Sequence, residues 1–226
     1  MDILKTPPQL VIFDMDGTML DTEPLSMAGW HHAFTAMGYN KPLEEFVPVF
    51  KSGIGTNYNA FKVLLANYLG ESFDFQKGYD MQLDHIDLHF ETHGVPIKPG
   101  LLPLLDKLEE LNIKKCVATS TKKERATHKL TLANVAHRFE VVVGGDEVVN
   151  SKPDPEIFLK AAAACNIAPA HCLAIEDSAA GTESAFRAGM QVINIPDMLP
   201  PSDATQKMAW RVCKDLFEVG ALFSRF

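Results

Sequence analysis

The residues best suited to chemistry stand directly after short apolar runs. Asp14-Met15-Asp16-Gly17-Thr18 follows Gln9–Phe13, and Thr119-Ser120-Thr121 follows Ile113–Ala118. Gly144-Gly145-Asp146 follows Glu140–Val143, and Glu176-Asp177-Ser178 follows Cys172–Ile175. If these runs are strands of one sheet, their carboxyl ends deliver carboxylates, hydroxyls and glycine backbone to one rim, where open α/β sheets bind ligands. Asp14, Asp16, Glu176 and Asp177 would crowd negative charge there, a repulsion relieved by protonation or by a bound cation. An all-oxygen donor set suits Mg2+, which is held by one or two carboxylates together with phosphate and water. Thr119 and Ser120 add donors for phosphoryl oxygens, and Lys152, within Asn150-Ser151-Lys152-Pro153-Asp154-Pro155, adds a compact positive charge. Asp14 could then attack phosphorus while Asp16 protonates the leaving oxygen and later activates water. Gly17 permits a sharp turn between them, and the Thr18 hydroxyl can satisfy that turn.

The elements that must position these residues can be read from periodicity. The four runs and a fifth, Gln191–Ile195, are short and nearly uninterrupted by polar residues, as strands covered on both faces require. Helical stretches separate the later ones: Leu101–Leu111, Lys122–Ala133, Pro155–Cys165 and Ser178–Ala188. This alternation predicts an α/β fold with a doubly wound parallel sheet. The first strand breaks the spacing, because a long segment separates Phe13 from Ile113. That segment reads as helical in Pro24–Met37, Pro42–Phe50, Thr56–Leu69 and Phe73–Thr92. The expected organisation is therefore an α/β core domain of residues 1–21 and 95–226 with an inserted all-helical cap domain of residues 22–94.

Bulk properties narrow the function further. The 226 residues carry 21 Lys plus Arg against 29 Asp plus Glu, a formal net charge of −8 that argues against a nucleic-acid partner. Cys116, Cys165, Cys172 and Cys213 form no CxxC pair and read as buried thiols of a reducing, cytoplasmic compartment. No apolar stretch reaches the ~18 residues of a membrane span, and the N-terminus lacks the pattern of a signal peptide. No membrane partner is expected. The oligomeric state stays open, a monomer being admissible.

Together the motifs resemble those of the haloacid dehalogenase-like hydrolases, in the branch with a helical cap between the first and second motifs. Asp14-Met15-Asp16-Gly17-Thr18 is similar to the first family motif, Thr119 to the second, Lys152 to the third and Glu176-Asp177 to the fourth, which Gly181 follows in the next helix. The resemblance covers essentially the whole chain, including Pro99-Gly100 and Gly145-Asp146-Glu147. It implies a Rossmann-like core, an aspartyl-phosphate intermediate on Asp14, and Mg2+ held by Asp14, the Asp16 backbone carbonyl and Asp177, with Glu176 beside them. Dehalogenase members lack the second aspartate of the triplet, so Asp16 implies phosphorus chemistry. Phosphonate-cleaving members need a cap lysine for a Schiff base, and Lys41, Lys51 and Lys62 offer no match.

The expectation is thus a Mg2+-dependent phosphatase acting on a small phosphorylated metabolite. Its catalytic residues would be Asp14, Asp16 and Lys152, its phosphate-binding residues Thr119, Ser120 and Lys152, and its metal-site residues Asp14, Asp16, Glu176 and Asp177. The segment Asp21-Thr22-Glu23-Pro24-Leu25 is similar to that of the small sugar-phosphate phosphatases of the branch. A β-phosphoglucomutase-type phosphosugar mutase is the alternative. That type carries a histidine in the first cap helix and an arginine after the cap's glycine loop, and the matching positions here are Ser26 and Thr56-Asn57. A phospho-accepting signalling module is an alternative from another class, although it needs neither the inserted domain nor Asp16.

Other signals have plainer readings. His85, His89 and His93 share one helical face and read as a solvated cap surface rather than a zinc site. His31 and His32 read as packing or solvent-facing residues. Asp146 orients Lys152 or caps a helix, and Gly53-Ile54-Gly55 is either a specificity loop or a break between helices.

Overall fold

In a computed structural model, which describes residues 6–54 and 58–226, the chain divides into two compact units: Met1–Asp21 with Pro96–Phe226, and Thr22–Val95. In chain order, β1 (Leu10–Phe13) is followed by α1 (Glu23–Ala36), α2 (Leu43–Gly53), α3 (Tyr58–Leu69) and α4 (Phe75–His93). Next come α5 (Leu101–Glu110), β2 (Lys114–Ala118), α6 (Lys123–Leu132), β3 (Val142–Val143) and α7 (Glu156–Ala164). The remainder is β4 (Cys172–Glu176), α8 (Ala179–Arg187), β5 (Gln191–Asn194), α9 (Asp203–Met208), β6 (Arg211–Val212) and α10 (Leu216–Leu222).

The six strands pair in parallel in the order β3-β2-β1-β4-β5-β6. Leu10 and Ile12 of β1 share a core with Cys116, Ala118, Cys172, Ala174 and Val192, covered by Ile157, Phe158 and Ala161 of α7 and by Ala185 of α8. Val11, Phe13, Val117, Leu173 and Ile175 have the opposite parity, point to the other face, and are equally buried. On that side α5 packs on β2, and α10 packs on α5. Burial of both faces explains why the strands read as continuous apolar runs; each large side chain so covered contributes ~1.5–3 kcal/mol.

The sequence-based expectations differ from the structure at the sheet edges. The third strand is regular only over Val142–Val143, although Glu140 and Val141 also hydrogen-bond β2 through their backbone, and β6, α9 and α10 have no counterpart among the runs singled out. Both β6 residues are exposed, so no apolar signature marks that strand.

The chain runs outward from β1 through β2 to β3 and resumes on the other side of β1 at β4, which makes the rim beside β1 a topological switch point. Phe13 is in register with both Val117 and Ile175, so Asp14 emerges level with Ala118 and Glu176. The segments that leave and re-enter this unit are tied together: Asp21 N–H donates to the Pro96 carbonyl at 2.9 Å. Lys98 donates to Asp21 at 2.9 Å and to Asp197, beyond β5, at 2.5 Å.

The helical unit has its own aromatic core. Trp30 of α1 packs on Phe61, Phe75 and Tyr79 with ring centroids 5.4, 5.2 and 6.1 Å away. Phe34 meets Phe46 edge-on at 5.0 Å. Asp74 caps α4 by accepting from the Lys77 N–H, and Gly94, at φ 79°, ends it. Among the described residues, no helix is long and apolar enough to cross a membrane.

Candidate active site

Asp14 leaves β1 with its backbone N–H on the Ile175 carbonyl at 2.9 Å, which fixes the start of its loop against β4. The turn beyond closes through Gly17 N–H to Leu20 O and Met19 N–H to Met15 O, both 2.9 Å. Gly17 adopts φ +83°, and a Cβ there would stand 2.5 Å from Asp177 Oδ2. Only glycine therefore serves both the turn and the approach of that carboxylate. The Thr18 hydroxyl donates to Asp177 Oδ1 at 3.1 Å, linking the first loop to the fourth instead of satisfying its own turn.

Lys152 is the electrostatic centre of the rim. Its ammonium donates to Asp14 Oδ1 at 2.5 Å, Glu176 Oε1 at 2.7 Å and the Ala118 carbonyl at 3.2 Å, which uses all three N–H donors. Its side chain is only 7% exposed and passes over the Phe158 ring, 5.1 Å from the centroid. Burial works against its charge, but Asp14 and Glu176 outweigh that effect and hold Lys152 above its ordinary pKa. For Asp14 burial is the largest influence and pushes the carboxyl upward; Lys152 opposes this, while Glu176 and Asp16 add to it. Two buried carboxylates thus share one ammonium.

Glu176 is fully buried. Its Oε2 accepts from Ser178 N–H at 2.8 Å and Ser178 Oγ at 2.9 Å, while Ser178 Oγ caps α8 by accepting from Gly181 N–H at 3.0 Å. A Cβ on Gly181 would overlap the Glu176 carboxylate, so the glycine is required by close approach. Glu176 is committed to Lys152 and to the α8 N-terminus. Asp16 is held at both oxygens: Oδ2 accepts from Thr121 Oγ at 2.7 Å and Oδ1 from Lys129 Nζ at 2.7 Å. Among the described residues, no three or more His, Cys, Asp or Glu side chains are grouped to hold a metal ion. Of the expected four carboxylates, three are engaged by lysines, Asp14 and Glu176 by Lys152 and Asp16 by Lys129.

The donor chemistry still fits Mg2+. Asp14 and Asp177 are oxygen donors from adjacent strands, and the bare Cα of Gly17 brings Asp177 against the Asp16–Gly17 backbone. Of the expected phosphate-binding residues besides Lys152, Thr119 is buried, its Oγ accepting from Thr121 N–H at 3.1 Å, and Ser120 is exposed. Asp146 does not touch Lys152; its carboxylate accepts from Lys123 N–H, the first amide of α6, at 2.7 Å.

The helical unit carries the remaining candidates. Ser26 Oγ accepts from Gln82 at 3.2 Å, and His31 Nε2 bonds the Lys41 carbonyl at 3.0 Å. His85 stacks on His32, and His89 on His93, each at 4.6 Å. Burial, with His32 and His89 nearby, lowers the His85 pKa. Thr56-Asn57 and Gly55 lie outside the described residues.

The model of the family described as haloacid dehalogenase-like hydrolase matches residues 11–195, which include every rim residue above. The chain belongs to this family. A Thermotoga maritima phosphorylated carbohydrates phosphatase is 31% identical over 185 residues, covering 82% of this chain and 83% of that protein. A Bacillus subtilis β-phosphoglucomutase is 30% identical over 193 residues, covering 82% of each. A solved Thermotoga maritima structure, put forward as a β-phosphoglucomutase, superposes with TM-score 0.80 at 26% identity over 96% of this chain and 99% of that one. The sheet order and the inserted helices are thus those of the family.

Two rim residues, Lys129 and Asn194, escaped the sequence reading, and Thr121, read there as a rim hydroxyl, is a partner of Asp16. Asn194 Nδ2 donates to the Asp177 carbonyl at 3.2 Å and to Thr182 Oγ at 3.0 Å, fixing the loop that bears Asp177. Lys129 carried a signal, since it shares a helical face with Ala126 and Leu130, both fully buried.

Proposed function

We propose that this hydrolase is a phosphatase that removes the phosphoryl group from a small phosphorylated metabolite through an aspartyl-phosphate on Asp14. The observation that carries the proposal is the buried Asp14 carboxyl held at Oδ1 by Lys152. This contact orients the carboxyl and leaves Oδ2 to attack. In the first step a bond forms between Oδ2 and phosphorus as the ester bond breaks, and the leaving oxygen takes a proton from Asp16. In the second, Asp16 takes a proton from water as the water oxygen attacks phosphorus, and the Asp14–phosphate bond breaks to release orthophosphate.

Lys152 keeps its charge throughout, anchored by Glu176, and faces the developing negative charge. Thr119 and Ser120 supply hydroxyl and backbone donors to the phosphoryl oxygens. Asp14, the Asp16 carbonyl and Asp177 would hold Mg2+, with Glu176 acting through Lys152 and Ser178 rather than as a direct ligand. When bound, Mg2+ supplies positive charge to phosphoryl oxygens that would otherwise meet a carboxylate-lined rim.

The likeness to a phosphorylated carbohydrates phosphatase supports a phosphosugar substrate. The likeness to a β-phosphoglucomutase supports a mutase as the second reading, although Ser26, whose hydroxyl is paired with Gln82, supplies no acid or base at the position where that type has histidine. The test is a screen of sugar, polyol, nucleotide and short-chain phosphates for released orthophosphate. Conversion of β-glucose 1-phosphate to glucose 6-phosphate is measured in parallel. Turnover should stop with EDTA, return with Mg2+ and vanish in Asp14→Asn; undiminished turnover in Asp14→Asn would refute the mechanism.

A further inference from the structure

Lys129 is a buried lysine with no part in the steps above. It lies on α6 with its side chain 11% exposed, and its ammonium meets Asp16 Oδ1 at 2.7 Å across 113 residues of sequence. Lysine is almost never buried unless paired, and a buried ion pair is often no more stabilising than a packed apolar pair. Stability alone is therefore a poor account of this arrangement, whereas orientation is a good one. The χ2 torsion of aspartate is broad, so a single contact leaves the carboxylate free to swing. Here each oxygen has its own donor, Thr121 on Oδ2 and Lys129 on Oδ1, both carried by the β2–α6 segment.

Charge allocation leads to the same conclusion. All three N–H groups of Lys152 are engaged by Asp14, Glu176 and Ala118. Lys152 therefore has no N–H left for Asp16, whose ammonium partner is Lys129.

The geometry points to Lys129, with Thr121, as the positioning residue for Asp16, holding its carboxyl where it can exchange a proton with the leaving oxygen. The inference rests on the phosphatase reading. It predicts a signature that a structural lysine would not produce. Protonation matters most when the leaving group is basic, so loss of Lys129 should penalise poor leaving groups selectively.

The test compares p-nitrophenyl phosphate with phenyl phosphate, which have similar shapes but leaving groups of different basicity. The quantity read is kcat/KM, which reports phosphoryl transfer to Asp14 rather than its later hydrolysis. Lys129→Met should lose ~10–100-fold on phenyl phosphate and only a few-fold on p-nitrophenyl phosphate. Thr121→Val should shift the ratio in the same direction by less, and Lys129→Arg, which keeps the cation, should return it towards the wild-type value. Should Lys129→Met fail to fold, as judged by circular dichroism, Thr121→Val and Lys129→Arg decide the matter. Equal losses on both esters, or none on phenyl phosphate, would overturn the positioning role while leaving the phosphatase reading intact. A wild-type protein inert towards every phosphate ester would instead overturn the phosphatase reading.

Discussion

Replacing Lys152 by methionine isolates the charge balance on which the site depends. The substitution keeps most of the stem that passes over Phe158 but removes the ammonium from between Asp14 and Glu176, two buried carboxylates. Removing one partner of a buried ion pair costs ~3–5 kcal/mol. For a chain of this size ~1 kcal/mol corresponds to roughly 2–4 °C, so Tm at pH 8 should fall by about 6–20 °C. The sign of the pH dependence follows from the direction of the carboxyl shift. With Lys152 gone, the influence opposing burial at Asp14 is lost, and the folded-state pKa rises further above the unfolded value. A carboxyl raised in this way binds its proton more tightly when folded, so the variant gains stability relative to wild type as pH falls through that raised value. Scanning calorimetry in EDTA from pH 8 to pH 5 should show the gap in Tm narrowing. A gap that stays constant or widens towards pH 5, or one below about 2 °C at pH 8, would refute the reasoning.

Two further substitutions probe other contacts. Gly181→Ala would improve intrinsic helix propensity, yet its Cβ would overlap the Glu176 carboxylate. It should lower kcat and Tm together, and a variant as stable and active as wild type would show that the carboxylate can move aside. Away from the site, Glu109 is held bidentately by Arg138 at 2.8 and 2.7 Å. The Arg138 hydrogen bonds, with Lys115 nearby, hold its pKa at about 2. A depressed carboxyl contributes stability above its unfolded pKa and loses it as pH falls towards the folded value. Because Glu109 is 44% exposed, the contribution is discounted to ~1 kcal/mol or less. The Tm difference between wild type and Glu109→Gln should therefore be largest above pH 5 and close between pH 4.5 and about 2, as read by thermal scans in matched buffers.

How much of this was legible in the sequence depended on burial. The strands β1, β2, β4 and β5 are covered on both faces, so their apolar runs stood out, and the polar residues just beyond them marked the rim. Asp14 and Glu176 were accessible to reading because each follows such a run, and Lys152 through the Asn150–Pro155 string that resembles the third family motif. β6 was not, being two exposed residues at an edge. The partners of Asp16 were harder to see. Thr121 looked like part of a phosphate-binding hydroxyl string, and Lys129 like one more helical lysine, since only the three-dimensional approach of α6 to the β1 loop brings it to Asp16. Glu176 was legible as a rim carboxylate but not as the anchor of Lys152 and of the α8 N-terminus, because that division of labour is set by distances of under 3 Å.

The central claim is that Asp14 itself accepts the phosphoryl group. Rapid quench during turnover, borohydride reduction and peptide mass spectrometry would read this directly, because an aspartyl-phosphate is reduced to homoserine. The account predicts homoserine at position 14 in wild type, none in Asp14→Asn, and none without substrate. Steady turnover with position 14 unmodified at every quench time, or with the reduction product at another carboxylate, would contradict it.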